Sequence, residues 1–277
     1  MLLFFPNTPI HLAEDGSPQV NADPTARLFV WLIRKLSREV GNGRVILAAE
    51  TESMVAALTN VTGVKFTYLP HPVRLPVGRD DPNLDSIRKV PLLGAYGAAR
   101  HEKGSDILQT AIRSVLAENS EFGAAFTMQW LDDFEDEGGR WVSKDEYLQR
   151  QPKFRFIQEY FKEGGYMEQV SRTSVMMLPY RDNYALRVSR VVIEAMIMGI
   201  PVIATEGTTL HQQAQKFGVC VSCRDGCVDS LKNAIEEAVE GLEQLQARAV
   251  EKADAARDHF SVKNFRRLLI EAIPDLD

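Results

Sequence analysis

The chain has 277 residues, 45% hydrophobic and 25% charged, an ordinary globular composition with length enough for one large core or two smaller ones. A formal net charge of -6 at pH 7 leaves no basic footprint for a phosphate backbone, so nucleic acid is not an expected partner. No apolar run near the start approaches the ~20 residues of a bilayer span, the opening has no basic n-region, and three cysteines fit a reducing compartment, so the chain reads as cytoplasmic.

Leu2 to Phe5 is a short apolar run halted by Pro6 and Pro9, as in a buried strand entering a loop. Asp23 and Pro24 read as the N-cap and first residue of a helix whose apolar positions are Leu28, Trp31, Leu32 and Leu36, ended by Gly41 and Gly43. Val45 to Ala49 predicts a second buried strand, Glu52 to Leu58 a helix, and Phe66 to Leu69 a third strand. From His71 to Arg88 the sequence is rich in proline and charge and has no periodicity, which marks a linker.

Strand and helix alternation then resumes. Strands are expected at Val90 to Gly94, Ala124 to Gln129, Phe154 to Gln158, Val175 to Leu178 and Pro201 to Ala204, with helices from Ser105, Tyr166 and Ser189 between them. This predicts an α/β chain built on a parallel sheet covered on both faces. Leu231, Ile235, Ala238, Leu242 and Leu245 recur at helical spacing, and a last amphipathic helix carries Phe265, Leu268, Leu269 and Ala272. The expected division is a partial Rossmann-like domain over 1–75, a linker over 76–88, a complete one over 89–258 and a C-terminal helix over 259–277.

Two segments carry chemistry. In LLGAYGAARHEKGSDIL a buried strand meets a small, glycine-rich turn, two cations three residues apart (Arg100 and Lys103) and a helix start. Small residues let a phosphate approach the backbone, while the cations and the helix N-terminus neutralise it; the plain alternative is a strand-turn-helix with two solvated cations. In YRDNYALRVSRVVIEAMIMGIPVIAT a loop enters a helix that is apolar nearly all round apart from Arg190 and Glu194. A lone carboxylate on such a helix wants partners. Arg190 could supply one at i, i+4, or Glu194 could accept hydrogen bonds from the two hydroxyls of a ribose, with Ser189 capping the helix.

The pairing of G-x-x-R-x-x-K-G (Gly97, Arg100, Lys103, Gly104) with E-A-M-x-x-G-x-P-V-I-A-T (Glu194 to Thr205), in that order and on matching elements, resembles the donor domain of family 4 glycosyltransferases. The resemblance runs from Val90 to the C-terminus and more faintly from Val45 to Val73. It implies a GT-B fold of two Rossmann-like domains and a retaining, metal-independent transfer of sugar from a UDP- or GDP-linked donor to a hydroxyl acceptor, glycan or lipid-linked. It also implies that Gly97, Arg100, Lys103 and Gly104 hold the diphosphate, Glu194 the ribose, and the loop with Arg187 and Ser189 the donor sugar and phosphates. Lipid acceptors among such enzymes leave room for peripheral contact with the inner membrane face. No bound cofactor is implied beyond the nucleotide-sugar substrate, and no side chain stands out as a nucleophile.

This sequence departs from the pattern at Leu186, where an acidic residue often stands eight positions before the glutamate, and at Ser189, where a glycine is usual. The front part is also too short for a complete Rossmann domain, and the family's acceptor-side histidine has no assignable counterpart, His11 being a candidate by exclusion. The rival readings are a truncated nucleotide-sugar-binding module without transferase activity and a nucleotide-sugar epimerase of the same architecture. Cys220, Cys223 and Cys227 with His211 invite a zinc reading, which buried structural cysteines explain more simply, and LDDFEDEGG reads as a solvated loop.

Overall fold

The computed structural model describes residues 1–5, 8–13, 15–73, 90–162 and 164–273; the stretch read as a linker, 76–88, lies outside the described residues. Two compact units emerge. Unit 1 comprises the described residues of Met1–Leu75, Asn183–Arg190 and Arg257–Asp277, and unit 2 those of Pro76–Asp182 and Val191–Ala256.

Unit 1 opens with β1 (Leu2–Phe5), β2 (Ile10–Leu12), β3 (Pro18–Val20), α1 (Pro24–Lys35), α2 (Ser37–Gly41), β4 (Ile46–Ala49), α3 (Glu52–Thr62) and β5 (Thr67–Tyr68). Its parallel sheet has the order β1-β4-β5, while β2 and β3 form a small antiparallel hairpin. The Asp23 carboxylate accepts the Ala26 N–H at 2.8 Å with Pro24 in the first turn, so the cap works as its sequence predicts. The face α1 buries is another matter. Ala26, Val30 and Ile33 point inward, whereas Leu28, Trp31 and Leu32 are about half exposed. The core of this unit gathers Ile33, Leu47, Met54, Leu58 and Phe66, and Leu186 is part of it.

Unit 2 continues with β6 (Leu92–Ala95), α4 (Ser105–Glu118), β7 (Ala125–Gln129), the short strands β8 (Phe134–Glu135) and β9 (Trp141–Val142), α5 (Glu146–Gln149), β10 (Phe154–Ile157), α6 (Gly165–Ser171) and β11 (Val175–Leu178). It closes with α7 (Arg190–Ile197), β12 (Val202–Thr205), α8 (Thr209–Phe217), β13 (Cys220–Cys223), α9 (Val228–Glu240) and α10 (Leu242–His259). α11 (Val262–Ala272) then belongs to unit 1, where Phe265 meets Phe4 edge-on at 6.4 Å and Val73 N–H donates to Phe260 O at 2.9 Å.

The large sheet is parallel throughout, in the order β10-β7-β6-β11-β12-β13. Its strands are nearly all apolar because helices cover both faces. From β6 the chain steps outward to β7 and β10, then returns to β11 and steps the other way. The switch point therefore lies between β6 and β11, and loops leaving their carboxyl ends diverge there to open a crevice.

The single helical run expected across Leu231 to Leu245 is broken at Gly241, which separates α9 from α10. The acidic stretch read as a solvated loop is largely exposed, but two of its residues form β8, which pairs with β9 in a small hairpin whose turn is held by Asp136 accepting from the Gly138 and Arg140 N–H groups at 2.9 Å.

Candidate functional site

β6 ends at Ala95, and the chain turns at Gly97 with φ +92 before reaching Arg100 and the short 3-10 turn His101–Lys103. Gly97 is needed twice over. Its φ favours glycine, and a Cβ there would stand 2.6 Å from Lys103 Nζ, so the ammonium rests directly over the turn. Its N–H donates at 2.7 Å to Gln129 Oε1, and Gln129, buried at the end of β7, donates in turn to Glu159 O at 3.0 Å. Gly104, with φ +64, starts α4 in a still tighter place, where a Cβ would fall 2.1 Å from Pro179 O.

Arg181 clamps the turn from the other side of the switch point. Its N–H donates to Glu102 O at 3.1 Å, its Nε to His101 O at 3.0 Å, and its guanidinium pairs with Asp106 at 2.6 Å. The loop after β6 is thus fixed by the loop after β11.

Lys103 makes no hydrogen bond or ion pair through Nζ among the described residues; its ammonium lies 5.9 Å from the centroid of the buried Tyr180 ring. Burial, reinforced by the Arg100 charge and opposed by Glu102, lowers it from the usual lysine range to about 8. A partly buried cation that makes no ion pair is a ready anion site. Arg100 is more exposed and lies 3.5 Å from Glu102. A cavity of about 20 Å³, enough for one water, lies among Gly97, Lys103, Gln129 and Tyr180.

Glu194 is 4% exposed on α7, and Tyr166 on α6 donates its phenol proton to Oε2 at 2.5 Å. The Tyr166 ring meets Tyr96 edge-on at 6.2 Å and Phe161 at 5.7 Å. Tyr96 immediately precedes Gly97, and its hydroxyl contacts Thr173 at 2.7 Å. A continuous chain of contacts, Gly97-Tyr96 to Tyr166 to Glu194, therefore links the cationic turn to the buried carboxylate at one end of the sheet.

Of the residues singled out from sequence, Gly97, Arg100, Lys103 and Gly104 share one turn, and Glu194 joins them through the two tyrosines. Arg187 and Ser189 fall in Asn183–Arg190, counted with unit 1, where Arg187 stacks over the Tyr184 ring at 4.7 Å and Ser189 is buried. Leu186, standing where an acidic residue is common, is 4% exposed in the core of unit 1, and its carbonyl accepts from Thr51 Oγ1 at 3.3 Å. That position therefore serves packing. Tyr96, Tyr166 and Gln129 escaped notice in the sequence because nothing in their spacing distinguishes them from core residues.

His11 lies in the β2 and β3 hairpin with Nδ1 2.9 Å from Asn21 Oδ1. The zinc reading fails on direction: Cys220 and Cys223, an odd number of positions apart on β13, point to opposite faces of the sheet. His211 instead pairs with Ser222 at 2.9 Å, and burial raises the Cys220 and Cys223 thiols to about 12 and about 11, away from the thiolate a metal needs. Among the described residues no helix is long and apolar enough to cross a membrane.

The chain has the GT-B fold, two Rossmann-like parallel-sheet units of which the first is small. It is similar to the E. coli trehalose-6-phosphate structure bound with UDP-2-fluoro glucose (TM-score 0.69, 11% identity, 100% of this chain and 68% of that one). It is also similar to sucrose-phosphate synthase from Thermosynechococcus elongatus (TM-score 0.64, 14% identity, 92% and 64%) and to Anabaena HepE in complex with UDP and glucose (TM-score 0.65, 13% identity, 99% and 71%). The chain thus spans about two thirds of the length of these proteins. No family model matches the sequence, and no curated protein matches it either.

Proposed function

We propose that the chain is a nucleotide-sugar-dependent glycosyltransferase of the family 4 kind, transferring a hexose with retention from a UDP- or GDP-linked donor to a hydroxyl acceptor. The observation that carries this reading is Lys103, partly buried over Gly97 and making no ion pair through Nζ among the described residues, at the switch point of a parallel sheet and joined by contacts to the buried Glu194. In this account Lys103 and Arg100 neutralise the diphosphate, and the backbone at Gly97 lets it approach. Glu194 accepts the ribose hydroxyls, while Arg187 and Ser189 serve the donor sugar and phosphates. As the glycosidic bond breaks, negative charge grows on the leaving diphosphate, and fixed cations there lower the barrier without reorganising. No resident metal or cofactor enters the account, and the work is done at the cytoplasmic side, in solution or at the membrane surface.

Leu186, committed to packing where an acidic residue often stands, favours one second reading, a nucleotide-sugar-binding module without transfer. Incubation with UDP-glucose or GDP-mannose and a panel of free sugars, followed through the anomeric protons by NMR, separates the two. An α-linked product from the α-linked donor is expected. A β-linked product contradicts retention, and an untouched donor beside saturable nucleotide binding selects the binding module.

A further inference from the structure

α1 is apolar on both of its sides. From Leu28 to Ile33 six apolar residues follow one another without a break, and at about 100° per residue they encircle the helix. One side is mounted on unit 1: Ala26, Val30 and Ile33 are buried, Phe29 meets Phe5 of β1 edge-on at 5.4 Å, and Arg34 donates to Val61 O of α3 at 2.9 Å. On the other side Leu28, Trp31 and Leu32, spaced i, i+3 and i+4, form one contiguous face that is about half exposed. A helix apolar all round is ordinarily covered all round, so such a face marks a docking surface.

The charges around this face decide what covers it. Arg27, Arg34 and Lys35 on α1 and Arg38 at the start of α2 are all exposed, and among the described residues none of them makes an ion pair. The nearby carboxylates are engaged, Asp23 in capping α1 and Glu39 with Arg44 at 3.4 Å. Lys35 Nζ lies 5.4 Å from the centroid of the Trp31 ring, which puts a cation beside the apolar face itself. This concentration of positive charge belongs to a chain with a net charge of -6. In a symmetric contact between two copies of α1 the same four cations would meet one another uncompensated. Anionic headgroups compensate them, while an indole and two leucines suit the boundary between headgroups and acyl chains.

We infer that α1 docks unit 1 onto an anionic lipid surface, its axis in the plane of that surface, with Leu28, Trp31 and Leu32 inserted and Arg27, Arg34, Lys35 and Arg38 against the headgroups. The buried side already holds α1 in helical form, so binding orders no new helix. Apolar insertion and basic attraction are both required, since a short apolar face or a small cluster of cations alone gives only marginal attachment. The inference deepens the membrane-surface alternative of the proposed function, but it rests on α1 and not on sugar transfer.

The test is co-flotation of the full chain with phosphatidylcholine vesicles, with and without one-third phosphatidylglycerol, joined to tryptophan emission in a Trp141→Phe background. That substitution removes the other exposed indole, and Trp130 is fully buried, so a change in emission reports Trp31. Flotation with the phosphatidylglycerol vesicles alone, a blue shift of the emission and weakening of both at high salt are expected. Leu28→Ser combined with Leu32→Ser should weaken binding about tenfold or more, as should Arg27→Gln combined with Lys35→Gln and Arg38→Gln. Thermal stability should hardly change in either variant, because these side chains face solvent. No flotation, equal flotation with neutral vesicles, or flotation that the serine pair leaves untouched overturns the inference. So does a dimer in sedimentation velocity that the serine pair converts to monomer, which assigns the face to a contact between copies. Nucleotide calorimetry on the same samples reads unit 2 separately, so a failed donor site and a failed lipid surface give different results.

Discussion

At pH 7 Lys103 is charged, but its ammonium titrates at about 8 because it is partly buried beside Arg100. Affinity for a nucleotide diphosphate should therefore fall as pH rises above 8, by up to about tenfold per unit, since binding then requires proton uptake. Calorimetry across pH 7 to about 9.5 checks this slope, and Lys103→Gln should weaken binding and flatten it. Stability moves the other way. Between about 8 and the ordinary value of 10.5 the unfolded chain binds more protons at this lysine, so the empty protein gains stability as pH rises through that window.

The two glycines of the turn predict different failures. Gly104→Ala drives a Cβ against a backbone carbonyl at a positive φ and should cost about 2 kcal/mol or more in urea unfolding. Gly97→Ala is also strained at its positive φ, which should cost about 1 kcal/mol or more, but its Cβ meets only the far end of Lys103, which can move away, so the fold should survive while nucleotide affinity drops. Tyr166→Phe removes a hydrogen bond to a buried carboxylate, which should cost about 1.5–3 kcal/mol of stability in urea unfolding, yet leaves Glu194 freer for ribose hydroxyls and should tighten nucleotide binding a few-fold.

Among the elements, the main strands and helices of unit 2 are legible because they are bounded by Gly, Pro or a capping residue and buried in a way their composition announces, whereas β8, β9, α5 and α8 were not read from the sequence. What stayed hidden is short or depends on partners. The β2 and β3 strands have three residues each, too few for an alternation to register, and α1 buries Ala26, Val30 and Ile33 while leaving Leu28, Trp31 and Leu32 about half exposed, so the face its apolar residues announce is not the one it packs. The cationic turn was visible because glycine and cation spacing are local features; Tyr166 and Gln129 were not, because their partners are distant in sequence. The C-terminal segment also takes its meaning from packing. Phe260 is 1% exposed and hydrogen-bonded through its carbonyl to Val73, and Phe260→Ala should destabilise the protein by about 3–5 kcal/mol in denaturant unfolding.

For the whole molecule, the strand order β10-β7-β6-β11-β12-β13 places the turn carrying Lys103 at the switch point of the large sheet, where adjacent loops diverge, which is where the proposed donor site is put. Among the described residues the parallel sheet of unit 1 has three strands, half the number in the large sheet of unit 2. Leu186 in its core shows that unit 1 is a packed unit of its own. The most direct test of the central claim is calorimetric titration of UDP, GDP and ADP into the chain and into folded Glu194→Ala and Arg100→Ala variants. Saturable binding of UDP or GDP, weakened about tenfold or more by Glu194→Ala and measurably by Arg100→Ala, is the predicted result. No binding of any of the three, or binding indifferent to both substitutions, would contradict the account.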